Sequence, residues 1–129
     1  MKREAISPEH PHANFKAHAY SPAIRSGDLL FVSGMVGARQ DGSPEPDHKK
    51  QVELAFQNLQ ETLKGAGATF DDIVDVTIFM TDPESQIDTV LEVRDRVFMQ
   101  DPLHNITALG VNWLAGFDFE IKVIARIPS

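Results

Sequence analysis

From Phe117 to Ile127 the chain alternates: Phe117, Phe119, Ile121, Val123, Ala125 and Ile127 fall on one side of an extended segment, and Asp118, Glu120, Lys122, Ile124 and Arg126 on the other. A period of two over this length predicts a strand with one buried face. A different period governs Val52, Ala55, Phe56, Leu59 and Leu63, which share one face of a helix. Asp47 is its expected N-cap, and the Gly-Ala-Gly at 65–67 its stop. A second helix opens at Asp82-Pro83-Glu84-Ser85, carries Ile87, Val90, Leu91, Val97 and Phe98 as its apolar stripe, and ends at Pro102.

Shorter runs complete the pattern. Leu29–Ser33, set between Ser26-Gly27-Asp28 and Gly34, reads as a buried strand, and the β-branched and aromatic run 73–80 as another. Residues 105–111 predict a strand ahead of a loop at Ala115-Gly116, and 40–47 are dense in turn formers. Residues 1–17 read as an irregular lead-in, with one further short strand near Ala19–Ile24. The order is β-β-α-β-α-β-β, an α+β domain spanning 1–129 with two helices on one face of a single mixed sheet. Two helices cover only one sheet face, so a homo-oligomer is the natural cover for the other.

Composition narrows the function classes. A chain of 129 residues with 42% hydrophobic and 24% charged residues suits one globular domain with a real core. Cysteine is absent, which removes disulfides, thiol nucleophiles and Cys-based metal sites. No apolar run approaches a membrane span and no apolar leader opens the chain, so the expectation is a cytoplasmic protein without membrane contact. Net charge is −7 and the basic residues cluster only at Lys49-Lys50, which argues against a nucleic-acid partner. His10, His12 and His18 do not match a known zinc spacing, and no metal site is expected. There is no Gly-rich phosphate loop and no Ser-His-Asp arrangement to argue for.

Three segments, in order, carry a resemblance. Residues 19–37, AYSPAIRSGDLLFVSGMVG, then Asp72-Ile73-Val74 with TIFMTD at 77–82, then EIKVIARIP at 120–128 resemble the reactive-intermediate deaminase family (Rid, also called YjgF). The resemblance implies a chorismate-mutase-like fold and a homotrimer with small-molecule clefts between subunits. It also implies hydrolysis of enamines and imines derived from amino acids, releasing ammonia, with no cofactor or metal. The expected substrate is a 2-aminoacrylate-type or 2-aminomuconate-type enamine; some relatives act on 3-aminoacrylate or 2-aminomuconate instead, and older family names speak of ribonuclease activity.

On that resemblance Glu120 is the carboxylate that handles water and Tyr20 the cleft tyrosine, while Ser33 and Gly34 match a Ser-Gly that brings backbone up to a ligand. Taken alone, Glu120 would read as a strand-surface acid paired with Lys122 or Arg126. The chain departs from the family where an arginine is expected in a Pro-x-Arg-[Ser/Thr] segment. Here the residues are Pro102-Leu103-His104-Asn105-Ile106-Thr107, which puts His104 or Ile106 in the slot according to the register chosen. An imidazole can donate one hydrogen bond or move a proton, but it lacks the permanent, forked charge of a guanidinium. His104 is therefore the second catalytic candidate, with Asn105 and Ile106 as substrate contacts; Trp113 reads either as a pocket wall or as packing in the core or an interface. Two explanations of the gap stay open: a substrate without the usual α-carboxylate position, or a cleft that binds a metabolite without turning it over.

Overall fold

The computed structural model describes residues 2–98 and 101–128. The strands are β1 (Glu4–Ile6), β2 (Ala23–Ser26), β3 (Leu29–Val32), β4 (Met35–Val36), β5 (Ile73–Met80), β6 (Thr107–Gly110) and β7 (Phe119–Arg126). They form one sheet in the order β1-β2-β3-β7-β5-β6, with β4 also paired to β7. All pairs are antiparallel except β5 with β6, so the sheet is mixed. The helices are α1 (Asn14–Ala17), α2 (His48–Gly65) and α3 (Pro83–Val97), with a 3-10 turn at Phe70–Asp72.

The core lies between the sheet and α2 with α3. The predicted stripe of α2 is buried in full, and on β7 Phe119, Ile121, Val123 and Ala125 face it. Phe56 stands at the centre, with ring centroids 5.3 Å from Phe98 and 5.9 Å from Phe119. Asp47 caps α2 as expected, its side chain accepting from the Lys50 amide at 3.0 Å.

Several expectations need correction. The lead-in at 1–17 is not irregular: β1 pairs with β2, and α1 buries Phe15. The short strand expected near Ala19–Ile24 begins at Ala23. Ala19 is in the left-handed region (φ 55°) and Pro22 has no amide to give a ladder, so the chain joins the sheet only beyond them. The stripe expected on α3 does face the core, with Val90 and Phe98 buried and Ile87 and Val97 packed against it, but Leu91 is only partly covered and Gln86 and Val93 are buried as well. Gln86 turns inward because it satisfies the first turn: its Oε1 accepts from the Asp82 amide at 2.9 Å and its Nε2 donates to Thr81 Oγ1 at 3.2 Å. The helix ends at Val97; residues 99 and 100, on the way to Pro102, lie outside the described residues.

One irregularity prepares the site. Phe31 pairs with Ile124, whereas Met35 pairs with Ile121, so one extra residue lies between β3 and β4 opposite β7. This bulge contains Ser33 and Gly34 and opens the sheet beside Lys122 and Glu120. Among the described residues no helix is long and apolar enough to cross a membrane.

Candidate functional site

The sheet face away from α2 and α3 carries the even-numbered residues of β7, and Glu120 is among them, with Val36 of β4 on one side and Phe79 of β5 on the other. A cleft of about 450 Å³ opens above it. Tyr20 and Gly34 line this cleft with Glu120. Asn14 and His18 enter from the α1 segment, Gly42 and Pro44 from the turn before α2, and Val111, Trp113, Leu114, Ala115 and Phe117 from the loop between β6 and β7.

Each wall is held by an identifiable bond. Asn14 Nδ2 donates to the Gly42 carbonyl at 2.9 Å, tying α1 to the turn. Tyr20 packs its ring 5.0 Å from Phe15, itself buried and stacked on His12 at 4.2 Å. Gln51, buried on α2, accepts from the Asp118 amide at 2.7 Å and donates to the Glu45 carbonyl at 3.0 Å, fixing the entry to β7 and the turn together. Ala19 and Ala115, the two non-glycine residues with positive φ among those described, both flank the cleft. Backbone strain of this kind gathers where the surrounding structure holds a site in shape.

Glu120 is half-buried, and among the described residues its carboxylate has no hydrogen-bond or ion-pair partner. Lys122 Nζ, on the same face, turns to the Val32 carbonyl at 3.1 Å in the bulge, and Arg126 pairs with Asp28. The surface pairing that its neighbours on the strand suggest is therefore not made. Burial lifts the Glu120 carboxyl above the usual carboxylate range, and the charge of Lys122 offsets only part of this. Burial also raises the Tyr20 phenol, with a further push from the charge of Glu120. Gly34 sits directly on the carboxylate, and a Cβ there would overlap it. The result is a carboxyl group in a partly dry cleft, close to a phenol and to open space for a small molecule.

The other residues expected in the site lie elsewhere in this chain. Ser33 is beside the cleft, but its hydroxyl donates to the Ser21 carbonyl at 2.8 Å. His104 faces the helix side, stacked on Phe98 at 4.6 Å with Nε2 3.1 Å from the Phe70 carbonyl oxygen. Ile106 packs against the core. Asn105 alternates onto the open face, where Nδ2 donates to Asp75 Oδ1 at 2.7 Å. The strand period explains the split: 104 and 106 share one side of the chain entering β6, and 105 takes the other. Sequence reasoning missed His18 and Asn14. The only available signal was that both precede Tyr20 within one short segment.

No arginine or lysine lines the cleft among the described residues, and no group of three or more His, Asp or Glu side chains there could hold a metal ion.

Comparison with known proteins agrees with this architecture. Residues 11–127 match the family model described as Endoribonuclease L-PSP. The RutC family protein YjgH of Escherichia coli is 60% identical over 129 residues, covering 100% of this chain and 98% of that one. A solved structure of protein YJGH superposes with a TM-score of 0.97 over 100% of this chain and 99% of that one. A Rid-family protein of unknown function from Yersinia pestis, YyfA, gives 0.87 at 28% identity, over 98% of this chain and all of that one. Reactive Intermediate Deaminase A of Arabidopsis thaliana is 30% identical over 100 residues, 76% of this chain and 52% of that protein.

Proposed function

The chain belongs to the YjgF/Rid/RutC family, and from that premise we propose that it hydrolyses a small enamine or imine in the Glu120 cleft, releasing ammonia and a carbonyl compound. The observation that carries this reading is the unpartnered, half-buried Glu120 beside Tyr20 and Gly34. Enamine and imine tautomers share one hydrolytic carbon. Water bonds to it while one proton passes to Glu120, which returns it to nitrogen and leaves a carbinolamine. Glu120 then takes the hydroxyl proton and passes it to nitrogen, the C–O bond becomes a carbonyl, and the C–N bond breaks with its electron pair leaving as ammonia. A carboxyl lifted by burial is suited to both halves of this exchange, because the lift makes its carboxylate a stronger base than a solvated one. Tyr20 offers a ring wall and one hydroxyl. No redox group and no metal enters the balance.

The sheet face that holds the cleft also leaves Phe31 41% and Leu109 39% exposed, which supports a homotrimer whose subunits cover one another there. A reaction on a labile metabolite in the cytoplasm completes the proposal. Ribonuclease activity finds no support in a cleft with a carboxylate and no arginine or lysine among the described lining residues, since phosphate binding rests on Lys and Arg. The lack of a cationic anchor is also what a second reading, capture of a metabolite without turnover, draws on. A ligand-dependent rise in Tm without product would favour that reading.

The deciding experiment adds the protein to imines and enamines generated in situ and follows ammonia. Acceleration over buffer that is lost in Glu120→Gln is the expected result. No acceleration with any imine or enamine offered would overturn the proposal.

A further inference from the structure

The cleft is lopsided in charge. It holds one carboxylate, Glu120, whose strand neighbours are engaged elsewhere: Lys122 with the Val32 carbonyl and Arg126 with Asp28. Among the described lining residues none is Arg or Lys. The remaining walls are strongly aromatic: Tyr20, Phe79, Phe117 and Trp113, the last 74% exposed and free to lie against a ligand. A half-buried acid that meets no arginine or lysine of this chain in the cleft, with π-faces beside it, suits a bound cation.

We propose that the cleft selects a small organic cation, an N-unsubstituted iminium of the form R–CH=NH2+ that carries no carboxylate, with Glu120 against the nitrogen and Trp113 against the apolar group. This rests on the imine-hydrolase reading above and names its substrate class. Glu120 favours the protonated imine over the neutral one, and the protonated form is the better electrophile. A 2-imino acid would instead bring a second carboxylate beside Glu120 with no arginine or lysine of this chain in the cleft to meet it. In the reaction, water oxygen bonds to the imine carbon, Glu120 carries the two water protons in turn from oxygen to nitrogen, and the C–N bond breaks to give R–CHO and ammonium. Nothing is oxidised or reduced. The class of reaction that supplies such a substrate is two-electron oxidation of a primary amine, rather than of an amino acid.

The test uses the full chain with paired probes. Benzamidinium mimics the iminium, and benzoate is its anionic counterpart. Benzamidinium should bind and raise Tm, benzoate should not, and binding should weaken about 10- to 100-fold in Glu120→Gln. Trp113→Ala, at an exposed position, should weaken it about 2- to 30-fold without unfolding the protein. In parallel, the imine from benzylamine made by an amine oxidase is compared with the 2-imino acid made from phenylalanine by an amino-acid oxidase. Faster benzaldehyde release with the first and not the second is the expected outcome. Tighter binding of benzoate, or acceleration of the imino acid alone, would overturn the cation assignment and leave imine hydrolysis standing. Glu120-dependent benzamidinium binding with neither imine accelerated would leave the cation site standing and overturn the hydrolase reading. Failure of both probes and both imines would overturn both.

Discussion

Gly34 lies against the carboxylate of Glu120, so close that a Cβ at position 34 would overlap it. The neighbour that would have to yield is the far end of a flexible side chain rather than backbone. Gly34→Ala should therefore fold, with a stability change of about 1 kcal/mol or less, but with Glu120 swung out of its place above the bulge. If the carboxylate handles water and protons, imine hydrolysis should fall about 100-fold or more. Parallel measurement of Tm and ammonia release checks this. Unchanged turnover in a folded Gly34→Ala protein would mean that the position of the carboxylate is immaterial.

Glu120→Gln should separate stability from activity. The folded-state carboxyl is raised above its unfolded value by burial. Such a group stabilises the fold fully below its unfolded value, near about 4.3, and that contribution is lost as pH rises through the folded value. At neutral pH the ionised side chain is a cost that glutamine does not carry. The variant should melt higher than the parent at pH 7 and lose that advantage below about pH 4. Its hydrolytic rate should fall about 100- to 10,000-fold. Melting curves across pH, with rates at pH 7, provide the measurement.

His104→Leu should do the reverse. The ring stacks on Phe98 and Nε2 meets the Phe70 carbonyl, so its loss strands a part-buried acceptor. The expected cost is about 1–3 kcal/mol of stability. Because the ring faces away from the Glu120 cleft of its own chain, hydrolysis per folded molecule should stay within about threefold of the parent. A folded variant that has lost turnover would restore His104 to the chemistry.

These contrasts mark what the sequence could carry. The α2 stripe and the alternation of β7 were legible because an amphipathic period is written directly in residue order. The three exposed or half-covered residues of β1 have no such period, and their pairing with β2 is purely tertiary. Glu120, Tyr20 and Gly34 came from motifs and do line one cleft. His104 and Ile106 came from motif spacing as well, but the side of the chain they occupy is set by where β6 pairs with β5, which spacing alone does not reveal. His18 and Asn14 reach the cleft only because α1 folds back to the turn at Gly42.

Gln51 is the most hidden of the supporting residues, since a glutamine in the first turn of an amphipathic helix reads as surface. Its amide joins the Glu45 carbonyl and the Asp118 amide, one leading out of the turn at Pro44 and the other into β7. Gln51→Leu keeps the volume and strands both backbone groups. The expected loss is about 2–4 kcal/mol, read from denaturant unfolding. Because Asp118 is two residues before Glu120, the variant should also raise KM for any imine that the protein hydrolyses. A loss below about 0.5 kcal/mol would show that water replaces the amide without penalty.

The N-terminal segment should loosen on acidification. His12 is buried, stacked on Phe15, and accepts from the Asn14 amide through Nδ1 at 3.3 Å. Burial lowers its pKa in the folded protein, so the neutral ring is the form that fits. A group shifted in this direction stabilises the fold above its unfolded value, near about 6.5, and that contribution is lost as pH falls through the lower folded value. Protonation removes the Nδ1 acceptor and places a charge against Phe15, on which Tyr20 also packs. Hydrogen exchange at residues 13–20 should therefore accelerate between pH 7 and pH 5 relative to the core of β7, after correction for the intrinsic pH dependence of exchange. Substituting His12→Phe should remove that pH dependence while keeping the stack. The segment also supplies Asn14, His18 and Tyr20 to the cleft, so benzamidinium binding should weaken in the parent over the same interval and hold steadier in the variant. Equal exchange profiles for parent and variant across that interval would remove His12 as the cause.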